Sequence, residues 1–139
     1  MPRIERTAEV VWEGNVARGN GSITAGSGAF AGLPYSLPSR IGAVEGKTSP
    51  EELLAAAHAG CLTMGLATEL TQAGTPPERL EVSCRIVMDE VEGRGHQIVA
   101  SHVTVETDVP DDLIERADAE CPFSTLLRNA GAEVTVTRA

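Results

Sequence analysis

A run without a single charge, Leu53 to Ala67, stands in the middle of this chain directly behind a strong helix-start signal. That signal is Thr48-Ser49-Pro50-Glu51-Glu52. A serine caps the free N–H groups of a first turn, a proline suits the first helical position, and acids oppose the positive end of the helix dipole. The pattern predicts one long helix from Pro50 to about Ala73, stopped by Gly74 ahead of Pro76-Pro77. Its middle is apolar on every side, so the helix is expected at the centre of a core. Ala55, Ala56, Ala59, Gly60 and Gly65 make it thin. A thin helix lets another backbone come close, and in a chain of 139 residues the second helix can belong to a partner copy.

Around this helix the patterning is mostly that of strands. Thr7 to Trp12 alternates and predicts a strand, with turn signals at Glu13-Gly14-Asn15 and Gly19-Asn20-Gly21 and a short strand from Ser22 to Ala25. Residues 26–40 are rich in Gly, Pro and Ser and are expected as strand and loop. Leu80 to Glu90 and Gln97 to Thr107 predict a strand pair around Gly93-Arg94-Gly95. Pro110-Asp111-Asp112 starts a helix ending near Glu120, and Cys121-Pro122 breaks it. A short helical turn over Phe123–Asn129 and a closing strand over Glu133–Thr137 complete the chain. The expected architecture is a single α+β domain over residues 1–139, with antiparallel strands around one long buried helix.

Composition narrows the function classes. The formal net charge is −9 and no Lys/Arg cluster is present, which excludes phosphate-backbone binding and gives an anionic membrane surface no foothold. The N-terminal Met1-Pro2-Arg3-Ile4-Glu5-Arg6 has no apolar signal region. The longest uncharged helical run, about 15 residues, falls short of a bilayer core of roughly 30 Å. A cytoplasmic protein is expected. Three cysteines are too few for a disulfide scaffold, so in a reducing compartment they are free thiols, redox-active thiols or metal ligands.

Each thiol has a different local setting. Cys61 sits mid-helix among apolar residues, where burial raises a thiol pKa and the dipole gives no help. It becomes reactive only if tertiary structure brings it a cation; otherwise it is a small piece of core. Cys121 precedes Pro122 at the expected N-cap of a short helix, where free N–H groups favour a thiolate, so on local physics it is the better nucleophile. Cys84 alternates with Val82 and Ile86 and is expected in the core. His58, one turn before Cys61, shares its face and reads as a histidine held by a hydrogen-bond acceptor, with a base or metal ligand as the other possibility. A zinc site from His58, Cys61 and Cys121 is conceivable, although no Cys-x-x-Cys or histidine pair supports it. The loop residue Arg40 could supply the missing cation if Glu51 or Glu52 holds its guanidinium bidentately. Glu51 and Cys61 lie ten residues apart, about 15 Å along a helix, so they cannot touch within one helix. Either Arg40 spans them, or Glu51 of one chain reaches the Cys61 region of another.

Three stretches together resemble the OsmC/Ohr family of thiol-dependent peroxidases: Trp12-Glu13-Gly14, the run from Thr48 to Cys61, and Cys121-Pro122-Phe123-Ser124 with Leu126-Leu127 following. Tyr35 to Arg40 is more similar to the OsmC branch. The resemblance implies antiparallel sheets wrapped around long central helices in an intertwined homodimer, with two sites at the interface. It implies a peroxidatic role for Cys61, a resolving role for Cys121 through an intrachain disulfide, activation of the thiolate by Arg40, and Glu51 as the partner of Arg40. Local physics favours Cys121 for first attack and the resemblance favours Cys61; the resemblance is followed, because Arg40 can offset the burial penalty. Gly60 and Phe123 depart from the family's commonest residues and are expected to reshape the substrate pocket.

The activity so implied is reduction of organic hydroperoxides to alcohols with no metal, flavin or haem, recycled by a dithiol reductant, a lipoyl-type or small-molecule one. An apolar site lined by Met64, Phe123 and Leu126 would favour organic hydroperoxides over hydrogen peroxide. The competing readings are the zinc site and a non-catalytic dimer that binds a small molecule under stress.

Overall fold

The structure, a computed structural model, describes residues 2–42 and 44–139. The chain forms two compact units, Met1–Pro50 and Glu51–Ala139.

The first unit is a three-stranded antiparallel sheet in the order β1-β2-β3, made of β1 (Ala8–Glu13), β2 (Asn20–Ala25) and β3 (Leu33–Tyr35), followed by the short helix α1 (Leu37–Ile41). β1 falls within one residue of its expected place. Asn20-Gly21, expected as a turn, is instead the start of β2. The reason is packing: Gly21 pairs with Trp12 on one side and Tyr35 on the other. The two rings close over it with centroids 5.6 Å apart, and a Cβ at Gly21 would collide with both. The helix α1 lies where only strand and loop were expected. It is a single turn held by reciprocal bonds, Ser39 N–H to Ser36 Oγ at 3.3 Å and Ser36 N–H to Ser39 Oγ at 2.8 Å. That is a capping box with serine in place of the usual Glu or Gln. A parallel bridge between Tyr35 and Thr48 then leads the chain to the long helix.

The second unit is helix and sheet around one core. Helix α2 (Pro50–Gln72) is followed by β4 (Val82–Val91), β5 (Gly95–Val105), α3 (Asp111–Glu120), α4 (Pro122–Asn129) and β6 (Glu133–Arg138). All six lie close to their expected bounds. β4 and β5 form an antiparallel hairpin whose loop puts Gly93 and Gly95 at positive φ, 76° and 75°. β6 joins the other edge of β5 in parallel, so the sheet is not wholly antiparallel. Strand β6 follows α4 after a short turn, and the crossover through two helices makes the parallel pairing possible.

Helix α2 buries one stripe rather than its whole circumference. His58, Leu62, Leu66, Glu69 and Leu70 are its buried residues, spaced by three or four as one face requires. Leu62, Leu66 and Leu70 share a cluster with Val103 and Val105 of β5 and with Leu113, Ile114 and Ala117 of α3. The small residues do admit a close neighbour, and it belongs to the same chain: a Cβ on Gly65 would lie 3.5 Å from Cβ of Ala117. On the outer side Met64 is 74% exposed, and a Cβ on Gly60 would meet nothing within 4 Å. By length and composition alone α2, 23 residues with a hydropathy of 1.3, reaches what a bilayer-crossing helix needs. That exceeds the span expected from its uncharged run. Its inner stripe is committed to the core just described.

Candidate active site

Two apolar periods break at the same level. Along α2 the inward positions Leu70, Leu66 and Leu62 lead to His58, and along β5 Val105 and Val103 lead to Ser101. Both polar residues are fully buried. Buried polar groups need partners, and these two have each other: Ser101 Oγ lies 2.6 Å from His58 Nδ1. The other ring nitrogen, Nε2, lies 2.8 Å from Oγ of Ser124 on α4, which is also fully buried. Cys84 Sγ adds a contact of 3.3 Å to Ser101 Oγ. Among the described residues, every buried side-chain nitrogen and oxygen has a partner.

One turn further along α2, Cys61 packs against the core cluster to which Cys121 belongs, close enough for the Cys121 thiol to bear on its ionisation. Cys121 is the N-cap of α4, its backbone extended at φ −75° and ψ 115°, with Pro122 at the first helical position. Its sulfur accepts from the Ser124 N–H at 3.5 Å. Cys61 is half-buried and Cys121 is buried, and both are free thiols. Cysteines 60 residues apart in sequence are thus gathered at one core cluster.

The electrostatics make Cys61 a dormant thiol within its own unit. Burial pushes its pKa up, and the hydrogen bond to Cys121 and repulsion from a Cys121 thiolate add to the rise. The backbone N–H of Phe123 draws it partly back. Burial likewise pushes up the Cys84 thiol, with a partial offset from Ser101. For His58 burial is the main influence and lowers the pKa; Asp118 raises it and Arg128 lowers it. Those last two are themselves paired through two contacts of 3.1 and 2.7 Å.

The remaining expected residues fall as follows. Glu51 stands in the first turn of α2. Arg40 is in the last turn of α1, where it lines a cavity of about 210 Å³ with Trp12, Val16, Tyr35, Ser36 and Leu37. Of the apolar residues expected around the thiols, Phe123 packs against the core cluster, while Met64 and Leu126 are exposed. The zinc reading loses its histidine, because both ring nitrogens of His58 are engaged by serine hydroxyls. Among the described residues no group of three His, Cys, Asp or Glu side chains converges on a metal position. Sequence reasoning expected a partner for His58 without finding Ser101 or Ser124. The available signal was a serine on the inward phase of a valine-rich strand.

The sequence compares with known proteins along nearly its whole length. A family model described as OsmC-like protein matches residues 43–137. The chain is 34% identical over 140 residues to the peroxiredoxin OsmC of Escherichia coli strain K12, covering 96% of this chain and 94% of that protein. Its fold is similar to an organic hydroperoxide resistance protein from Elizabethkingia anophelis, with a TM-score of 0.76 at 23% identity over 100% of this chain and 99% of the other. OhrB of Bacillus subtilis gives a TM-score of 0.71 at 24% identity, covering 96% and 98%. The chain belongs to the OsmC family.

Proposed function

We propose that this protein is a cysteine-based peroxidase that reduces organic hydroperoxides to alcohols, with Cys61 as the peroxidatic and Cys121 as the resolving cysteine. The observation that carries the reading is that Cys61 packs against the core cluster containing Cys121, with the Cys121 thiol close enough to bear on its ionisation. A sulfenic acid formed on either sulfur has the other thiol already beside it.

The chemistry runs in three steps. The Cys61 thiolate attacks the terminal oxygen of R–O–OH, the O–O bond breaks, and the alkoxide takes a proton to leave as alcohol. Cys61 now carries S–OH. The Cys121 thiol displaces that hydroxyl as water and closes a disulfide, ahead of further oxidation to the irreversible sulfinic acid. A lipoyl-type or small-molecule dithiol then reduces the disulfide by exchange and is itself oxidised. Because the Cys61 thiol is raised in its own unit, the first step needs a cation. Arg40, held by Glu51, is the proposed source, since a guanidinium stays charged and can bind a carboxylate while donating to a thiolate. Glu51 cannot reach Cys61 along α2 itself. The reading therefore includes a homodimer in which both units of the chain act together as one domain. The proposed compartment is the cytoplasm, whose reducing pool keeps the two thiols free.

Mass spectrometry after one equivalent of an alkyl hydroperoxide tests this. The expected product is a Cys61–Cys121 link with Cys84 left as thiol, and one equivalent of alcohol. Cys61→Ser ends turnover, Cys121→Ser completes one turnover and then accumulates oxygen on Cys61, and Arg40→Ala slows the first step at neutral pH. Protein in which neither Cys61 nor Cys121 is consumed would be a non-catalytic binding dimer instead.

A further inference from the structure

The link between His58 and Ser124 runs parallel to the link between Cys61 and Cys121. His58 precedes Cys61 by three residues on α2, and Ser124 follows Cys121 by three on α4. The N-terminus of α4 is thus tied to one face of α2 by a nitrogen–oxygen contact of 2.8 Å, one turn from the place where Cys61 packs against the cluster that holds Cys121. Ser124 in turn donates its backbone N–H to the Cys121 sulfur at 3.5 Å. When Cys61 takes an oxygen its own sulfur changes, while the imidazole bond to Ser124 involves no sulfur and persists.

We propose that His58 is a positioning residue for disulfide closure: through Ser124 it keeps Cys121 docked against Cys61 during the interval when Cys61 is a sulfenic acid. This rests on the peroxidase reading above and deepens it. The bond is suited to the task. Both partners are fully buried, and in a low-dielectric interior a satisfied hydrogen bond is strong and a broken one costly. The ring is held from its far side as well, with Nδ1 2.6 Å from Ser101 Oγ, so the imidazole is fixed at both nitrogens. Cys84, 3.3 Å from Ser101 Oγ, closes the outer end of the line. Four elements, β4, β5, α2 and α4, are in this way coupled to the cap that carries Cys121.

Conservative variants separate positioning from bulk structure. An Asn at position 58 offers its amide near the place of Nδ1 and keeps the Ser101 contact; a Gln reaches the place of Nε2 and keeps the Ser124 contact. Rapid quench with a thiol-blocking reagent, followed by mass analysis, measures alcohol release and disulfide closure separately. For His58→Asn and Ser124→Ala the expected result is alcohol release within about twofold of the unaltered protein and closure slowed about tenfold, the weight of roughly one lost hydrogen bond. A larger fraction of Cys61 should reach sulfinic acid. His58→Gln should restore most of the closure rate. Closure unchanged in Ser124→Ala, or alcohol release falling as far as closure, overturns the proposal; should His58→Asn fail to fold, Ser124→Ala decides alone. If the unaltered protein forms no Cys61–Cys121 link, the peroxidase reading fails and this inference with it. A normal link in the unaltered protein together with indifferent variants overturns the inference only.

Discussion

Among the described residues, His58 has hydroxyls and no charged group as its direct partners, and that gives it a thermodynamic signature. Its imidazole is buried between two hydroxyls, and burial lowers its pKa more than Asp118 raises it, with Arg128 lowering it further. The folded chain therefore resists taking a proton that the unfolded chain accepts near the ordinary histidine value of about 6.5. Stability attributed to this group is complete above that value and is lost as the pH falls through the folded pKa. Protonation would also make both ring nitrogens donors, so one of the two serine hydroxyls must reverse. Denaturant midpoints measured from pH 7.5 down to pH 5.5 should fall for the unaltered protein and fall less for His58→Gln, since most carboxylates titrate lower. Identical slopes for the two proteins would mean that His58 is not the group responsible. The same burial that keeps His58 neutral keeps Cys61 protonated, so the proposed reactivity must be delivered to this pocket from elsewhere.

Helix α2 shows at the scale of an element what the sequence could and could not reveal. Its capped start and its stop at Gly74 were legible because both are local chemistry. Gly74 adopts φ 81°, a conformation glycine enters without penalty. Which face would be covered was not legible, since an apolar run has no polar side to mark the outside. The structure selects the stripe through Leu62 and Leu66, both with no exposure. Leu66→Ala should cost about 2–5 kcal/mol, transfer and cavity terms together, read as a lower denaturant midpoint with unchanged slope; a loss below about 1 kcal/mol would mean the site collapses freely around the smaller side chain. The Cys121 cap was legible from Cys-Pro alone, and α4 begins at Pro122 as expected. The contact of Cys121 with Cys61 was not: it joins residues far apart in sequence and came only through resemblance. Helix α1 was missed because five residues carry too little periodicity, and its Ser36/Ser39 box departs from the usual Glu or Gln form. Asn20-Gly21 misled in the opposite sense, since a glycine needed for close approach of two rings looks the same as one needed for a turn.

For the whole molecule, the exposed apolar surface of the single chain is the feature in need of an explanation. Val10, Val11, Val16 and Ile41 in the first unit, and Met64 and Leu126 in the second, are each at least 55% exposed. Among the described residues of the first unit, Ile23 is the only buried hydrophobic side chain, and a unit of about 50 residues with so small a core is marginal without added contacts. Isolated surface hydrophobes are ordinary, and it is contiguous apolar patches that mark binding surfaces. In the proposed homodimer a second copy covers these side chains. Met64 offers a clean probe. It is 74% exposed, so replacing it sacrifices little packing inside the chain, and Glu is a good helix former at an exposed helical position. Sedimentation velocity across a concentration series should show a dimer for the unaltered protein. Met64→Glu should raise the dissociation constant by about tenfold or more, the effect of placing an unpaired charge in an apolar contact, with the thermal transition of a concentrated sample still cooperative. Peroxidase activity per chain should then fall on dilution, and fall at higher concentrations in the variant, because the proposed site needs Glu51 to act on a Cys61 that its own helix holds about 15 Å away. A monomer at micromolar concentration with full activity per chain would remove the second copy from the mechanism and leave Arg40 of the same chain as the sole source of the activating charge.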